Sequence, residues 1–342
     1  MRELRELVRP NVWNLKPYSS ARDEFHGEAS VFLDANENPW NSPYNRYPDP
    51  MQWALKSRIS VLKEVPLASI FLGNGSDEAI DLVIRVFCEP AKDEILSIAP
   101  SYGMYEVSAE VNNVAFRKVM LDERFQLDAE ALLREVRPET KVIFLCSPNN
   151  PSGNLLDREA VCRVIESFDG IVVVDEAYID FAGVPSFTHE LPDYPNLVIL
   201  QTLSKAWGAA GIRLGMAFAS PEIIGLMNKM KYPYNVNQLT QEKALELLAD
   251  TNRFQEQLFK VLSERERLAG ELAALGLKVY PSDANFLLVE VGDANGMYDY
   301  LVNRGVIVRN RNSVAKCLGC LRITVGTPDE NNQLLDGIKA RL

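Results

Sequence analysis

Three polar residues stand just past the ends of three apolar runs. Asn150 follows KVIFLCSPN, Asp175 ends GIVVVD, and Lys205 follows LVILQTLS. Continuous apolar runs of this length suit strands of a parallel sheet buried on both faces. In an open α/β sheet, ligands bind outside the carboxyl ends of the strands, so these residues should converge on one site. A lysine amine there can form a Schiff base with an aldehyde cofactor, which is the chemistry of pyridoxal phosphate. A carboxylate such as Asp175 can keep the cofactor's ring nitrogen protonated, so that the ring draws electrons from whatever is attached to it. Tyr178 and Asn150 can hydrogen-bond the ring's phenolic oxygen. Gly75, Ser76 and Asp77 open a predicted helix, whose N-terminus attracts a phosphate. Thr202, Ser204 and Arg213 flank the lysine and can supply further hydroxyls and a cation.

Each of these residues has a plainer reading when taken alone. An aspartate at a strand end is commonly a helix cap, a loop lysine is commonly solvated, and GNGS is commonly a tight turn. The joint arrangement carries the argument, and it requires an α/β frame. After Gly75 the sequence alternates strand-like runs (94–99, 115–121, 141–146, 171–174, 197–202 and 214–219) with helix-like runs (76–88, 103–112, 128–136 and 157–167). That alternation predicts a large unit over 46–234 with a mostly parallel central sheet. From 235 the pattern changes. A long helix is expected to about 274, with Gly276 as its stop. Strands at 285–291, 306–309 and 321–325 and helices at 294–304 and 328–341 follow. This second stretch, 235–342, reads as a smaller α+β unit. Residues 1–45 are irregular and are expected to pack with the smaller unit or with a partner subunit.

The composition narrows the class. A chain of 342 residues is long for one core, and 47% hydrophobic with 24% charged residues is ordinary for a globular protein. The net charge of −11 disfavours a nucleic-acid partner, since a phosphate backbone calls for a basic face. No apolar run reaches the roughly 18 residues of a membrane span, and MRELRELVRP has no signal-like apolar core. Five scattered cysteines suit reduced thiols in a cytoplasm. Cys317 and Cys320 form one CxxC. A structural zinc needs four ligands, however, and the only histidines are His26 and His189, so no metal is expected.

The segments SPNNPSG (147–153), VVVDEAYIDF (172–181) and TLSKAWGAAGIRLG (202–215) resemble the fold-type I pyridoxal-phosphate aminotransferases. The order Asn, Asp-x-x-Tyr, Ser-Lys, Arg is that family's order. The resemblance implies a two-part subunit in a homodimer, with each active site built from both subunits. Further segments are similar to the histidinol-phosphate aminotransferase family: NLKPYSS (14–20), LDANENP (33–39), NRYPDP (45–50), SYGMY (101–105) and CLRITVGT (320–327). By that resemblance Tyr102 stacks on the cofactor ring and Tyr47 reaches the neighbouring subunit's cofactor. Tyr18, Arg309 and Arg322 would recognise the substrate's anionic end, with Asn150 beside them. Ser152 departs from the family's more common Thr, and the extra basic residues of RNRNSVAKCL (310–319) match no family role.

The expected activity is transamination between histidinol phosphate and 2-oxoglutarate, giving imidazole-acetol phosphate and glutamate in histidine biosynthesis. Paired arginines suit this task, because one guanidinium can hold a carboxylate or a phosphate bidentately. A threonine-phosphate decarboxylase or an aromatic amino-acid aminotransferase would share the frame. A DNA-binding regulator on the same fold is disfavoured, since only about 30 residues precede LDANENP and the chain is acidic.

Overall fold

The computed structural model describes residues 3–18, 27 and 30–342; Ser19 and Ser20 of NLKPYSS and His26 lie outside them. Seven strands form the larger sheet: β1 (Ile70–Asn74), β2 (Glu94–Ala99), β3 (Ala115–Met120), β4 (Thr140–Cys146), β5 (Ile171–Asp175), β6 (Leu197–Thr202) and β7 (Leu214–Ala219). Their order is β1-β7-β6-β5-β4-β2-β3. β2 to β6 run parallel, and β7 runs antiparallel to both of its neighbours.

Alternation along the strands sends successive side chains to opposite faces, and here both faces are apolar. Ile143, Leu145, Val172 and Val174 enter one core, while Val142, Phe144, Ile171 and Val173 enter the other. Helices Gly75–Phe87 and Pro221–Met230 cover the second face, with Val83, Phe87 and Met227 buried in its core. The edge strand β3 is the exception. Its two faces carry Arg117 and Lys118, charges that protect an unpaired edge from other strands.

A second, antiparallel sheet follows, in the order β10-β11-β9-β8. Its strands are β8 (Lys278–Val279), β9 (Phe286–Glu290), β10 (Arg309–Asn310) and β11 (Cys320–Thr324). Leu287, Val289, Leu321 and Ile323 pack under Leu268, Leu272, Leu334 and Ile338 of the helices Thr251–Ala274 and Pro328–Arg341. A small cluster joins the two sheets: Tyr178 and Phe181, beyond β5, meet Ala284 and Phe286 at the start of β9. No helix among the described residues is long and apolar enough to cross a membrane.

The strand expectations from 94 to 219 agree with the structure to within a residue at most ends, but several elements escaped. β1 is short and ends in Gly-Asn, so its pattern merges with the turn after it. The helix Trp53–Lys63 buries Leu55, Lys56 and Ile59, and the buried lysine interrupts its apolar stripe. The helix Pro221–Met230, capped by Ser220, was also unforeseen. The long helix expected over 235–274 is two helices, Gln238–Ala249 and Thr251–Ala274. Asp250 breaks it by leaving the helical region (φ −103°, ψ 74°) and accepting a hydrogen bond from the Arg253 amide as the cap of the second helix. The first of these helices packs Ala244 and Leu248 into the core of the larger sheet. β10 begins later than expected, at Arg309.

Candidate active site

The register of the sheet aligns the strand ends. Cys146 of β4 pairs with Asp175 of β5, and Thr202 of β6 pairs with Gly215 of β7. The loops leaving these ends therefore open on one edge of the sheet.

After β4, Asn149 locks the loop. Its side-chain amide donates to Pro100 O at 3.0 Å and to Ser152 Oγ at 2.8 Å, and its Oδ1 accepts from Ser101 Oγ at 3.0 Å. Ser152 thus serves as an acceptor that either hydroxyl residue could supply. The loop presents Asn150, whose Nδ2 donates to Tyr178 Oη at 3.4 Å and whose Oδ1 accepts from Arg322 Nη1 at 2.6 Å. Tyr178 lies edge-on to Phe286 of the second sheet, with ring centroids 5.1 Å apart.

Asp175 is buried. Its Oδ2 accepts from the Tyr105 hydroxyl at 2.7 Å and its Oδ1 from the Ala177 amide at 3.1 Å. Burial pushes its pKa up to about 6, while these two hydrogen bonds pull it down. Among the described residues it has no ion-pair partner. Tyr105, stacked on Phe144 with centroids 4.7 Å apart, is a site residue that the sequence reading missed. Its signal was a tyrosine three positions after Tyr102 on a helix face, and such residues usually belong to the core. The neighbouring Glu176 is spent on structure, accepting from Ser186 Oγ, from the Phe187 amide at 2.7 Å and from Gln201 Nε2 at 2.9 Å.

Lys205 extends from the turn after β6, its Nζ 5.6 Å from the centroid of the Tyr178 ring. Partial burial, and then the Arg322 guanidinium, draw its pKa below the ordinary lysine value, against the pull of Asp175. The turn is fixed by Thr202 Oγ1, which donates to Leu214 O at 3.1 Å and accepts from the Ser204 amide at 3.1 Å.

The helix Gly75–Phe87 starts against this turn. Its approach is closer than any side chain would permit, since a Cβ on Gly215 would lie 2.1 Å from the Ser76 nitrogen. Gly75 has φ +74°, and a Cβ there would meet Arg213 Nη2 at 2.6 Å. The helix N-terminus and the Arg213 guanidinium therefore form one cradle, closed by the bond from Gly75 N–H to Arg213 O at 2.8 Å. Asp77 stands in it, 3.6 Å from Arg213 Nη2 and accepting from the Tyr102 hydroxyl at 3.2 Å.

Two cavities meet here. One of 160 Å³ is lined by Gly75, Ser76, Asp77, Asp175, Thr202, Ser204 and Arg213. The other, 720 Å³, is lined by Arg309, Arg311 and Arg322 and by the β2–β3 connection. Tyr102, Asn150, Tyr178 and Lys205 line both. Tyr18 and Tyr47 line neither. Tyr18 is 74% exposed, and Tyr47 stacks on Tyr234 with centroids 4.4 Å apart.

The donor set of the small cavity fits pyridoxal phosphate. It joins an anion cradle at one end, a buried carboxylate without a cation, and a lysine of lowered basicity between the two volumes.

Comparison with known proteins agrees. The family model for aminotransferase class I and II matches residues 31–338. The histidinol-phosphate aminotransferase of Parabacteroides distasonis is 68% identical over 341 residues, 99% of each chain. The crystal structure of histidinol-phosphate aminotransferase from Clostridium acetobutylicum superposes with a TM-score of 0.80 at 28% identity, covering 87% of this chain and 91% of that one. That of the Sinorhizobium meliloti enzyme in complex with pyridoxal-5'-phosphate also gives 0.80, at 25% identity, covering 87% and 84%. The chain belongs to the class I and II aminotransferases, pyridoxal-phosphate enzymes, and histidinol-phosphate aminotransferases are its relatives over nearly its full length.

Proposed function

We propose that the protein transfers the amino group of L-histidinol phosphate to 2-oxoglutarate, as a homodimer in the cytoplasm. The observation that carries this reading is the position of Lys205 between two anion-binding volumes: a glycine-lined cradle on one side and a group of arginines on the other.

The cradle of Gly75, Ser76, Asp77, Thr202, Ser204 and Arg213 would hold the cofactor phosphate. Asp175 would face the ring nitrogen, Asn150 and Tyr178 the phenolic oxygen, and Tyr102 the face of the ring. When bound, pyridoxal phosphate supplies an electron sink for the charge that develops at the substrate's Cα. Lys205 would anchor the cofactor and, once released from it, would take the Cα proton. A lowered pKa suits that base, because more of the amine is unprotonated near neutrality. Asp175 is raised toward 6 by burial, and a cationic ring nitrogen would restore it to the charged form. Arg309 and Arg322 would grip the phosphate of one substrate and the distal carboxylate of the other. Asn150 would link the two ends, since it bonds both Tyr178 and Arg322. Tyr18 and Tyr47 are exposed in the single chain, which suits a role at a subunit interface. Exposed Trp40, Tyr44 and Trp53 accompany them.

The purified protein should show a visible absorbance band that borohydride abolishes, and a higher kcat/KM for histidinol phosphate than for phenylalanine. If phenylalanine wins, the reading becomes an aromatic aminotransferase. Release of CO2 from threonine phosphate would make it a decarboxylase.

A further inference from the structure

We propose that Arg311 is a substrate-binding residue: with Arg309 and Arg322 it forms a three-guanidinium subsite that selects a phosphate dianion over a carboxylate. The inference rests on the transamination reading above and names a residue that reading does not use.

The argument starts from the strand period. Arg309 and Arg311 are two residues apart, so both side chains leave the same face of the strand. Arg309 pairs directly with Arg322 across the β10–β11 ladder. The ladder then continues past β10, because the Arg311 amide donates to Cys320 O at 3.0 Å. Three cations are thereby brought to one face of a sheet edge, and all three line the 720 Å³ cavity together with Lys205.

Like charges placed opposite one another on neighbouring strands are unfavourable, and a protein usually relieves them with carboxylates. Among the described residues none of the three forms an ion pair with an acid. The contrast with the same segment is direct, since Lys316, five residues on, is paired with Glu123. Among the described residues, Arg311 Nε and Arg322 Nε are buried and have no hydrogen-bond partner. A buried donor left unmade is costly, so it marks a place where a ligand's acceptor belongs. The environment of Arg311 says the same. Burial, followed by the charges of Arg322 and Arg309, lowers its pKa to about 10. An arriving anion offsets the repulsion among the three guanidiniums and compensates the burial of Arg311.

The number of donors sets the selectivity. Two guanidiniums saturate the two oxygens of a carboxylate, whereas a phosphate monoester presents three terminal oxygens and close to two charges. The third arginine therefore acts mainly on the phosphorylated substrate. Arg311 lines only the larger cavity, away from the cradle of Gly75, Ser76, Asp77, Asp175, Thr202, Ser204 and Arg213, so its loss should fall mainly on binding of the phosphorylated substrate.

The test is Arg311→Gln in the holoenzyme, with Arg311→Met as a second variant that keeps the apolar stem; folding is checked by the cofactor band and by Tm. The KM for histidinol phosphate should rise about 10- to 100-fold, with kcat held within about threefold and the KM for glutamate raised less than about threefold. Competitive inhibition by inorganic phosphate should weaken by a similar factor. Arg311→Lys, which keeps the charge but loses the planar fork, should recover part of the loss. A histidinol-phosphate KM unchanged within twofold in both neutral variants overturns the proposal, as does an equal rise for glutamate. A wild type that uses unphosphorylated histidinol as well as histidinol phosphate overturns the subsite alone, whereas one that prefers phenylalanine to histidinol phosphate overturns the reading on which the subsite rests.

Discussion

The two cavities that meet at Lys205 are built on opposite plans. The smaller one is closed on itself. Asp175 is held by Tyr105 and a backbone amide, Thr202 by its own turn, and Gly75 by Arg213. It sits on the ends of buried parallel strands whose register aligns them. The larger one is open. Its arginines stand at the edge of a short antiparallel pair, and two of them have a buried donor without an acceptor among the described residues. A site whose groups are already satisfied is preorganised and supports the part of the reaction common to every substrate. A site with unmet donors and like charges crowded together is completed by its ligand, so it is where one substrate is told from another.

Perturbing each cavity separately tests this division. Lys205→Ala should have the largest effect, abolishing turnover with both substrates while the fold survives. Retention of even a tenth of the activity would show that the closed cavity does not hold the reacting group.

Asp175→Asn should lower kcat for both half-reactions about 10²-fold, the loss expected when a charged group that stabilises the transition state is removed. The same variant has a signature in cofactor-free protein. A carboxyl whose folded pKa is raised from 3.8 to about 6 binds more protons in the native than in the unfolded state over that window. Its contribution to stability is therefore lost as pH rises through the window. The stability of Asp175→Asn relative to wild type should rise by about 2 kcal/mol between pH 4.5 and 7.5, measured by urea denaturation. A flat difference would mean that the buried carboxylate is already compensated.

Arg322→Leu should be milder, about 10- to 100-fold in kcat/KM, and should touch both half-reactions because one cation serves two anions. It should also loosen Asn150, which accepts from Arg322 Nη1 at 2.6 Å, and so carry the effect slightly into the closed cavity. If the loss fell on one substrate alone, Arg322 would belong with Arg311 and not to the shared grip.

The core of the larger sheet and the chemistry at its edge could be read from the chain directly. Local patterns determine them: the apolar runs of β2 and β4–β7 name buried strands, and a polar residue at the end of such a run must lie at the sheet's edge. Asn150, Asp175 and Lys205 follow from that rule, and the helix start at Gly75 follows from the GNGS turn that precedes a helical pattern. The close approach of Gly215 to Ser76 then shows why glycine occupies that position. What the chain alone could not specify depends on contacts between distant segments. Tyr105 became a partner of Asp175 only when a helix from residue 104 packed over a strand ending at 175. The break at Asp250 is a one-residue departure from helical dihedrals, which no loss of apolar period announces. Arg311 lies in a basic stretch, 310–319, to which the sequence assigns no role, because its neighbours in sequence carry no sign of a pocket. It reaches the cavity only because Phe286 docks on Tyr178 and β11 carries Arg322 to Asn150, and that apposition of two sheets is decided by tertiary packing.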